Sequence, residues 1–167
     1  MSESFDFDDL DFLTVGTLGP KGQREFYLQA RSEGQLVSFK IEKQQVAALA
    51  DYLDRVLDDL PEGDIGAPPD DLDLREPVVA AFTVGSLGIA YAQDIDRLIV
   101  MAEAAPEGDE DDNEPRDLAH ARFSLSRAQV FGLIERARGL VAAGRPPCTY
   151  CGRPLESRNR DWCPCQN

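Results

Sequence analysis

The stretch TVGTLG at residues 14–19 returns as TVGSLG at residues 83–88, and each copy follows a phenylalanine, Phe12 in the first and Phe82 in the second. A second set of residues, placed where a strand runs into a helix, recurs 84 positions further along the chain. The set comprises Phe39, Ile41, Lys43, Gln45 and Val46, which return as Phe123, Leu125, Arg127, Gln129 and Val130. This recurrence predicts two related βα units that pair about an approximate two-fold axis, because equivalent apolar faces then bury against each other.

The first unit spans about residues 11–60. Apolar residues return every three or four positions over residues 43–60, which predicts an amphipathic helix. The Pro, Gly and Asp content of residues 62–76 predicts a surface connector without fixed structure over most of its length. The predicted strands, recognised by alternating or continuous apolar residues between turns, cover residues 12–18, 24–31 and 36–41.

The second unit spans about residues 77–144. Ser126 and Gln129 form a capping box that opens a second helix, which should run to about residue 143. The charge run at residues 103–117 predicts a solvated loop, since it lacks the spaced ligands of a calcium site. Four strands are predicted before the helix, at residues 77–86, 89–93, 97–104 and 120–125.

These elements predict an α+β fold with a mainly antiparallel sheet, in which units of about three and four strands each end in one amphipathic helix. The helices could lie on one face of the sheet or outside a barrel-like sheet. We expect one duplicated domain over residues 1–145 and a tail over residues 146–167. Residues 1–10 form an acidic arm, which the alternation of Phe5 and Phe7 with acidic residues could add to a sheet edge.

The composition limits the possible partners. A net charge of −14 over 167 residues disfavours a general nucleic-acid or anionic-membrane binder, because phosphates would be repelled. No apolar run is long enough to cross a bilayer, and the acidic N-terminus is unlike a signal peptide, so we expect a cytoplasmic protein. Thiols stay reduced in that compartment, which favours clustered cysteines as metal ligands over disulfides.

The tail contains a candidate metal site with the spacing C-x2-C-x11-C-x-C, formed by Cys148, Cys151, Cys163 and Cys165. A two-residue spacer places the first two sulfurs on one ion, as in a zinc knuckle. Four thiolates would complete a tetrahedral shell and leave no position for water, so we expect structural rather than catalytic zinc. Unligated cysteines, an iron–sulfur centre and a redox dithiol are the weaker alternatives.

No catalytic constellation can be selected from the sequence. His120 is the single histidine and is predicted in a strand, and the glycines of the first copy lack the residues of a phosphate-binding loop. Polar residues of the predicted strands could still line a pocket between the two units, although ordinary sheet positions are the simpler interpretation. The candidates for this pocket are Tyr27, Gln29, Arg31, Tyr91 and Gln93.

Four stretches of the chain, TVGTLGPKGQREFYLQAR, EKQQVAALADYLDRVL, VGSLG and CTYCGRPL, resemble the actinobacterial conserved family called domain of unknown function 3090. Members of this family typically end in a pattern similar to CPxCGxPxDPxGHxCPR, in which His and Cys form the second ligand pair. Here the family cysteine falls on Cys163 and the histidine position on Asp161, while Cys165 stands where a basic residue is usual. The fourth ligand is therefore Cys165, whose thiolate binds zinc more tightly, or else Asp161.

The resemblance implies no activity, so the residues decide between three hypotheses. The closed ligand set favours a non-enzymatic interaction or regulatory protein, with an unknown protein as partner. A small-molecule binder or enzyme that uses a pocket between the two units is the first alternative. Contact with nucleic acid through the arginines of the tail is the second, which the acidic body disfavours.

Overall fold

A computed structural model describes residues 3–20, 22–106, 117–143 and Cys165. In these residues the chain forms an α+β fold of seven strands and two 17-residue helices. The strands are β1 (Ser4–Phe7), β2 (Phe12–Leu18), β3 (Glu25–Ser32), β4 (Gln35–Ile41), β5 (Ala80–Ala92), β6 (Arg97–Ala104) and β7 (His120–Leu125). The helices are α1 (Lys43–Asp59), which follows β4, and α2 (Arg127–Ala143), which follows β7.

All seven strands belong to one sheet, in the order β1-β7-β6-β5-β4-β3-β2. Strands β2 to β4 pair antiparallel, as do strands β5 to β7. A short parallel contact joins the two groups, in which Ser38 faces Ala80 and Lys40 faces Thr83. Strand β1 adds in parallel to β7, so the acidic arm does extend a sheet edge. The prediction of a mainly antiparallel sheet is thus confirmed.

The sheet is strongly curved. Phe39 on β4 and Phe123 on β7 are separated by two intervening strands, and neighbouring strands lie about 4.8 Å apart in a sheet. In a flat sheet the two rings would therefore be roughly 14 Å apart, yet their centroids are separated by 5.7 Å in an edge-to-face arrangement. The curvature brings the inner faces of β4 and β7 together and forms the centre of the core.

The helices close the open side of the curved sheet. Their buried residues belong to the same hydrophobic cluster as the inner-face residues of the strands. Two hydrogen bonds fix α2 against the opposite sheet edge, because Gln129 Nε2 donates to the carbonyl oxygen of Leu10 at 2.8 Å and Arg136 Nε donates to that of Val15 at 3.1 Å. The sheet and the two helices consequently enclose one core.

Both helices begin with a glutamine at their third position. Gln129 Oε1 accepts from the backbone N–H of Ser126 at 2.9 Å, while Ser126 Oγ accepts from the N–H of Gln129, which confirms the predicted capping box. In α1 the corresponding bond runs from the N–H of Glu42 to Gln45 Oε1, also at 2.9 Å. These bonds satisfy backbone donors that would otherwise have no partner at the helix N-termini.

Two predictions about the middle of the chain are wrong. Residues 77–86 and 89–93 do not form two strands but one, β5, in which a shift of register between Val84 and Ser86 absorbs the glycine-rich sequence. The second group therefore has three strands rather than four. Residues 62–76 contain no helix or strand, yet they are not without fixed structure, because they pack against the outer face of β2 and β3.

Candidate functional site

The five polar residues predicted to line a pocket lie in two places. Tyr27, Gln29 and Arg31 alternate along β3 and so share the outer face of the sheet. Tyr91 lies near the end of β5, and Gln93 is exposed in the turn that follows it.

The outer face of β3 is covered by the chain itself. Gln29 is fully buried, and its Nε2 donates to Ser38 Oγ at 3.0 Å and to the carbonyl oxygen of Arg75 at 2.9 Å. Its Oε1 accepts from the N–H of Arg75 at 2.7 Å. On the neighbouring strand, Thr14 Oγ1 donates to the carbonyl oxygen of Leu72. These buried polar groups therefore hold the connector of residues 62–76 in place.

The two other candidates on β3 lie at the rim of this covered face. Tyr27 donates a hydrogen bond to a Glu25 carboxylate oxygen at 2.9 Å, which raises the pKa of the phenol and lowers that of Glu25. Arg31 Nε lies 3.9 Å from an Asp11 carboxylate oxygen, and both side chains are about half exposed. Exposed pairs of this kind contribute little to stability because water screens them.

A polar cluster that the sequence did not predict forms around Arg127, the first residue of α2. The side chain of Arg127 is buried and donates to both carboxylate oxygens of Asp96, and its Nη1 donates to the carbonyl oxygen of Pro61 at 2.8 Å. Tyr91 donates to the same carboxylate at 2.6 Å. The hydrogen bonds from Arg127 and then Tyr91 lower the pKa of Asp96, while the bond to Asp96 raises the pKa of Tyr91.

The cluster joins three separate parts of the chain: the turn after β5, the end of α1 and the start of α2. Asp96 adopts a left-handed backbone conformation, with φ of 51°, that directs its carboxylate to Arg127. All three guanidinium nitrogens of Arg127 donate hydrogen bonds, Nε and Nη2 to Asp96 and Nη1 to Pro61, so Arg127 ties these segments together. The sequence predicted a turn at residues 94–96, but it did not indicate that Arg127 bonds to Asp96 in this turn.

An open cavity lies between α1 and β5, and we call it the α1–β5 groove. Its volume is about 360 Å³. Tyr52 on one wall is 58% exposed, which is unusual for an aromatic ring beside a core. The residues that line the groove are Ala48, Leu49 and Tyr52 from α1 and Leu87, Gly88 and Ile89 from β5.

The groove exists because β5 is longer than the strand it pairs with. Beyond Thr83 no described residue of β4 pairs with β5, so this half of β5 keeps its ladder only with β6. Gln45 Nε2 donates to the carbonyl oxygens of Val84 and Gly85, at 3.1 and 3.3 Å, and so links the start of α1 to β5. Past Gly85 no strand of the described part of the chain pairs with this edge of β5, which faces the groove.

The predicted zinc ligands cannot be placed in this fold. Cys148, Cys151, Cys163 and the alternative ligand Asp161 lie outside the described residues, and Cys165 is exposed. Within the described ranges, no three His, Cys, Asp or Glu side chains are grouped so that they could hold a metal ion. In the same ranges, neither helix is long and apolar enough to cross a membrane.

The chain matches, over residues 5–163, the model of the family described as protein of unknown function, DUF3090. This match confirms the resemblance inferred from the sequence motifs. Searches of curated proteins and of solved structures found no match.

Proposed function

The chain belongs to the DUF3090 family, and we propose that it is a non-enzymatic interaction protein whose α1–β5 groove binds an extended polypeptide segment. The C-terminal tail, with its zinc knuckle, is the second part of this proposal.

The chemistry of the groove supports binding rather than catalysis. Among the described residues, five of the six that line the groove are aliphatic or glycine, and the sixth, Tyr52, contributes a phenol. Such a surface gains free energy by excluding water from apolar side chains. Beyond Gly85 no described strand pairs with the groove-side edge of β5, so this edge can offer backbone hydrogen bonds to an added strand, which is a recurrent way of recognising peptides.

The internal repeat within the chain is a second argument for the proposal. The two helices have the same length, and α2 begins 84 positions after α1. Four buried positions of α1 correspond at this separation to four buried positions of α2. They are Val46, Leu49, Ala50 and Leu53, which correspond to Val130, Leu133, Ile134 and Ala137. We infer two related βββα units, so each surface of one unit has a counterpart in the other.

The counterpart of the groove contains a polypeptide segment, and this observation carries the proposal. Gly132 of α2 is buried under Pro68, Pro69 and Leu72, which belong to the connector. The position equivalent to Gly132 in α1 is Ala48, which is exposed and lines the groove. An extended Pro- and Leu-containing segment thus fills the site between α2 and β2, and the related site between α1 and β5 is open to a similar ligand.

The zinc tail is part of the proposal because its four cysteines are suitable zinc ligands. Cys148 and Cys151, with the two-residue spacer, are suited to hold one zinc ion together with Cys163 and Cys165. Zinc would fold a segment that has few apolar residues of its own.

A photo-crosslinking amino acid in place of Tyr52 tests the proposed function in living cells. We expect a crosslink from position 52 to a polypeptide segment, of the same chain or of another, identified by sequencing the crosslinked peptides after proteolysis. Ala48→Arg in the same chain should suppress it. The same crosslinker in place of Phe131, an exposed aromatic residue on α2, is the matched control. A small-molecule adduct at position 52, or no crosslink to any polypeptide segment within or between chains, would contradict polypeptide binding.

The volume of the groove favours a second candidate, a small apolar ligand. Ligand sites commonly enclose roughly 300–1,000 Å³, and the groove, at about 360 Å³, falls at the lower end of this range. Native mass spectrometry distinguishes the two candidates, because a small ligand would appear as a fixed mass increment that Ala48→Arg removes.

A further inference from the structure

We propose that the segment that fills the α1–β5 groove is the protein's own C-terminal tail, residues 144–167, bound within the same chain. This inference rests on the proposed function and identifies the ligand of the groove. Four steps support it: the path of the connector, the position of the tail, the exposure of the receiving surface, and the charge of the two parts.

The connector shows where a segment goes when it leaves a helix of this fold. It leaves the end of α1 and runs past the start of α2, where Gly63 lies against Arg127 and Gly66 against Ala128. It then covers Gly132 of α2 and reaches β2, where Leu72 and Leu74 pack over Thr14 and Gly16. The segment that follows one helix therefore crosses the other helix and ends on the first strand of its own unit.

The tail follows α2 as the connector follows α1. The helices end at Asp59 and Ala143, which are equivalent at the separation of 84 positions. The connector needs the residues from Leu60 to Leu74 to complete its path, whereas 24 residues follow Ala143. The tail is long enough to cross α1 and reach β5, and its Pro154 and Leu155 can supply apolar contacts like those of the connector.

Several positions of the surface that would receive the tail are exposed although their counterparts in the first unit are covered. Thr14 is fully buried under the connector, whereas its counterpart Thr83 on β5 is exposed. Gln29, which pairs with Ser38 on β4, is also fully buried, whereas Met101, which pairs with Arg122 on β7, 84 positions after Ser38, is 42% exposed. Burial of such apolar surface is favourable, so the second unit lacks the cover that the first unit has.

Charge favours the tail as the occupant. Residues 144–167 carry four arginines and two acidic residues, in a chain whose net charge is −14. Exposed acidic residues are close in sequence to the groove lining: Asp51, which precedes Tyr52 on α1 and also pairs with Arg138 at 3.4 Å, and Asp94, in the turn after β5. A basic segment and an acidic surface attract each other within the Debye length, and intramolecular attachment raises the effective concentration of the segment.

The test is to map the crosslinks formed by a photo-crosslinking residue at position 52 in the purified full-length, zinc-containing chain. Mixing unlabelled protein with isotopically labelled protein separates crosslinks within a chain from crosslinks between chains. We expect crosslinks from position 52 to residues 144–167 of the same chain, and we expect Ala48→Arg to reduce their yield on the order of tenfold. Position 131 serves as the control and should give few crosslinks to the tail.

The other outcomes contradict the inference in distinguishable ways. Crosslinks between labelled and unlabelled chains would show that the groove binds a second copy of the protein rather than the tail of the same chain. If position 52 crosslinks only to another protein in cells, the proposed function stands and the tail is not the ligand. If position 52 gives no polypeptide crosslink in cells or in the purified chain, both proposals fail.

Discussion

Asp54 of α1 and Arg138 of α2 form an ion pair, with 3.1 Å between carboxylate oxygen and guanidinium nitrogen, and they stand 84 positions apart in the chain. The same separation relates Phe39 and Phe123, whose ring centroids are 5.7 Å apart in the core. In the proposed duplication, residues 84 positions apart are counterparts, and counterparts contact each other only near the axis that relates the two units. Both contacts are consistent with a proposed axis that passes between the helices and through the centre of the core.

The contact between Phe39 and Phe123 predicts coupled effects on stability. Each residue is fully buried, so Phe39→Leu and Phe123→Leu should each lower the free energy of unfolding by about 1–3 kcal/mol. The double variant should deviate from additivity by about 0.5–1.5 kcal/mol, because the edge-to-face interaction is lost only once. Urea denaturation of the four proteins measures this coupling.

Phe12 provides the control for this cycle, because it lies on the outer face of β2, where the guanidinium of Arg75 covers its ring. Phe12→Leu combined with Phe123→Leu should be additive within about 0.5 kcal/mol. Additive behaviour of Phe39 and Phe123 as well would contradict their contact across the curved sheet.

The packing of the connector predicts a rescue. A Cβ atom at Gly16 would overlap the branched end of the Leu74 side chain, so Gly16→Ala should destabilise the protein by about 1–3 kcal/mol. In a Leu74→Ala background the overlapping atoms are absent, and the same substitution should cost much less. Thermal or urea denaturation of the two single variants and the double variant measures this difference.

Gly139→Ala is the matched control, since among the described residues no atom outside the neighbouring helix backbone lies within 4 Å of the added methyl group in α2. It should stabilise the helix by about 0.5–1 kcal/mol. An unchanged cost of Gly16→Ala in the Leu74→Ala background would mean that the connector does not pack on β2.

The cluster around Asp96 predicts a dependence of stability on pH. Arg127 and Tyr91 hold the pKa of this carboxyl below its usual value of 3.8. The contribution of ionised Asp96 to the free energy of unfolding is therefore fully present above that usual value. It is lost as the pH falls through the lower pKa that Asp96 has in the folded state. The stability difference between the wild-type protein and Asp96→Asn should therefore shrink as the pH falls below about 4. Urea denaturation between about pH 6 and pH 2 measures it.

Other carboxyl groups titrate in both proteins and cancel in this comparison. Tyr91→Phe is the control, because it removes the weaker of the two hydrogen-bonded causes and leaves Arg127 in place. In a Tyr91→Phe background, the effect of Asp96→Asn on the free energy of unfolding should still depend on pH, but less strongly. A difference that stays constant across this pH range would contradict the stabilisation of ionised Asp96 by these neighbours.

The proposed zinc site predicts metal content. Elemental analysis of protein purified under reducing conditions should give about one zinc ion per chain. Cys165→Ser should remove the ion or weaken its binding, and Asp161→Asn should retain it, because thiolate is the tighter ligand. Loss of zinc in Asp161→Asn with retention in Cys165→Ser would instead assign the fourth ligand to the carboxylate.

Local patterns in the sequence were sufficient to predict most elements of the fold. The alternation in β3 and the three-to-four spacing in α1 each place the buried residues correctly. The capping box of Ser126 and Gln129 marked the start of α2. These features depend on residues a few positions apart, which a single sequence shows directly.

Features that depend on distant contacts could not be predicted in this way. The glycines of β5 suggested a break, but pairing with β6 along Ser86–Ala92 keeps the strand continuous. The connector looked disordered by composition, yet its order comes from Gln29, 46 residues away from Arg75. The groove likewise results from the different lengths of β4 and β5 and from their register, neither of which is encoded locally.

Amide hydrogen exchange along the edge of β5 tests most directly whether an extended segment lies in the α1–β5 groove. In the purified full-length protein, we predict that the backbone N–H groups between Leu87 and Ile89 that point away from β6 are protected. Ala48→Arg should make the same groups exchange faster, while protection in β3 stays unchanged. Rapid exchange of these groups in the wild-type protein, with no change in Ala48→Arg, would contradict the central claim that the groove binds a polypeptide segment.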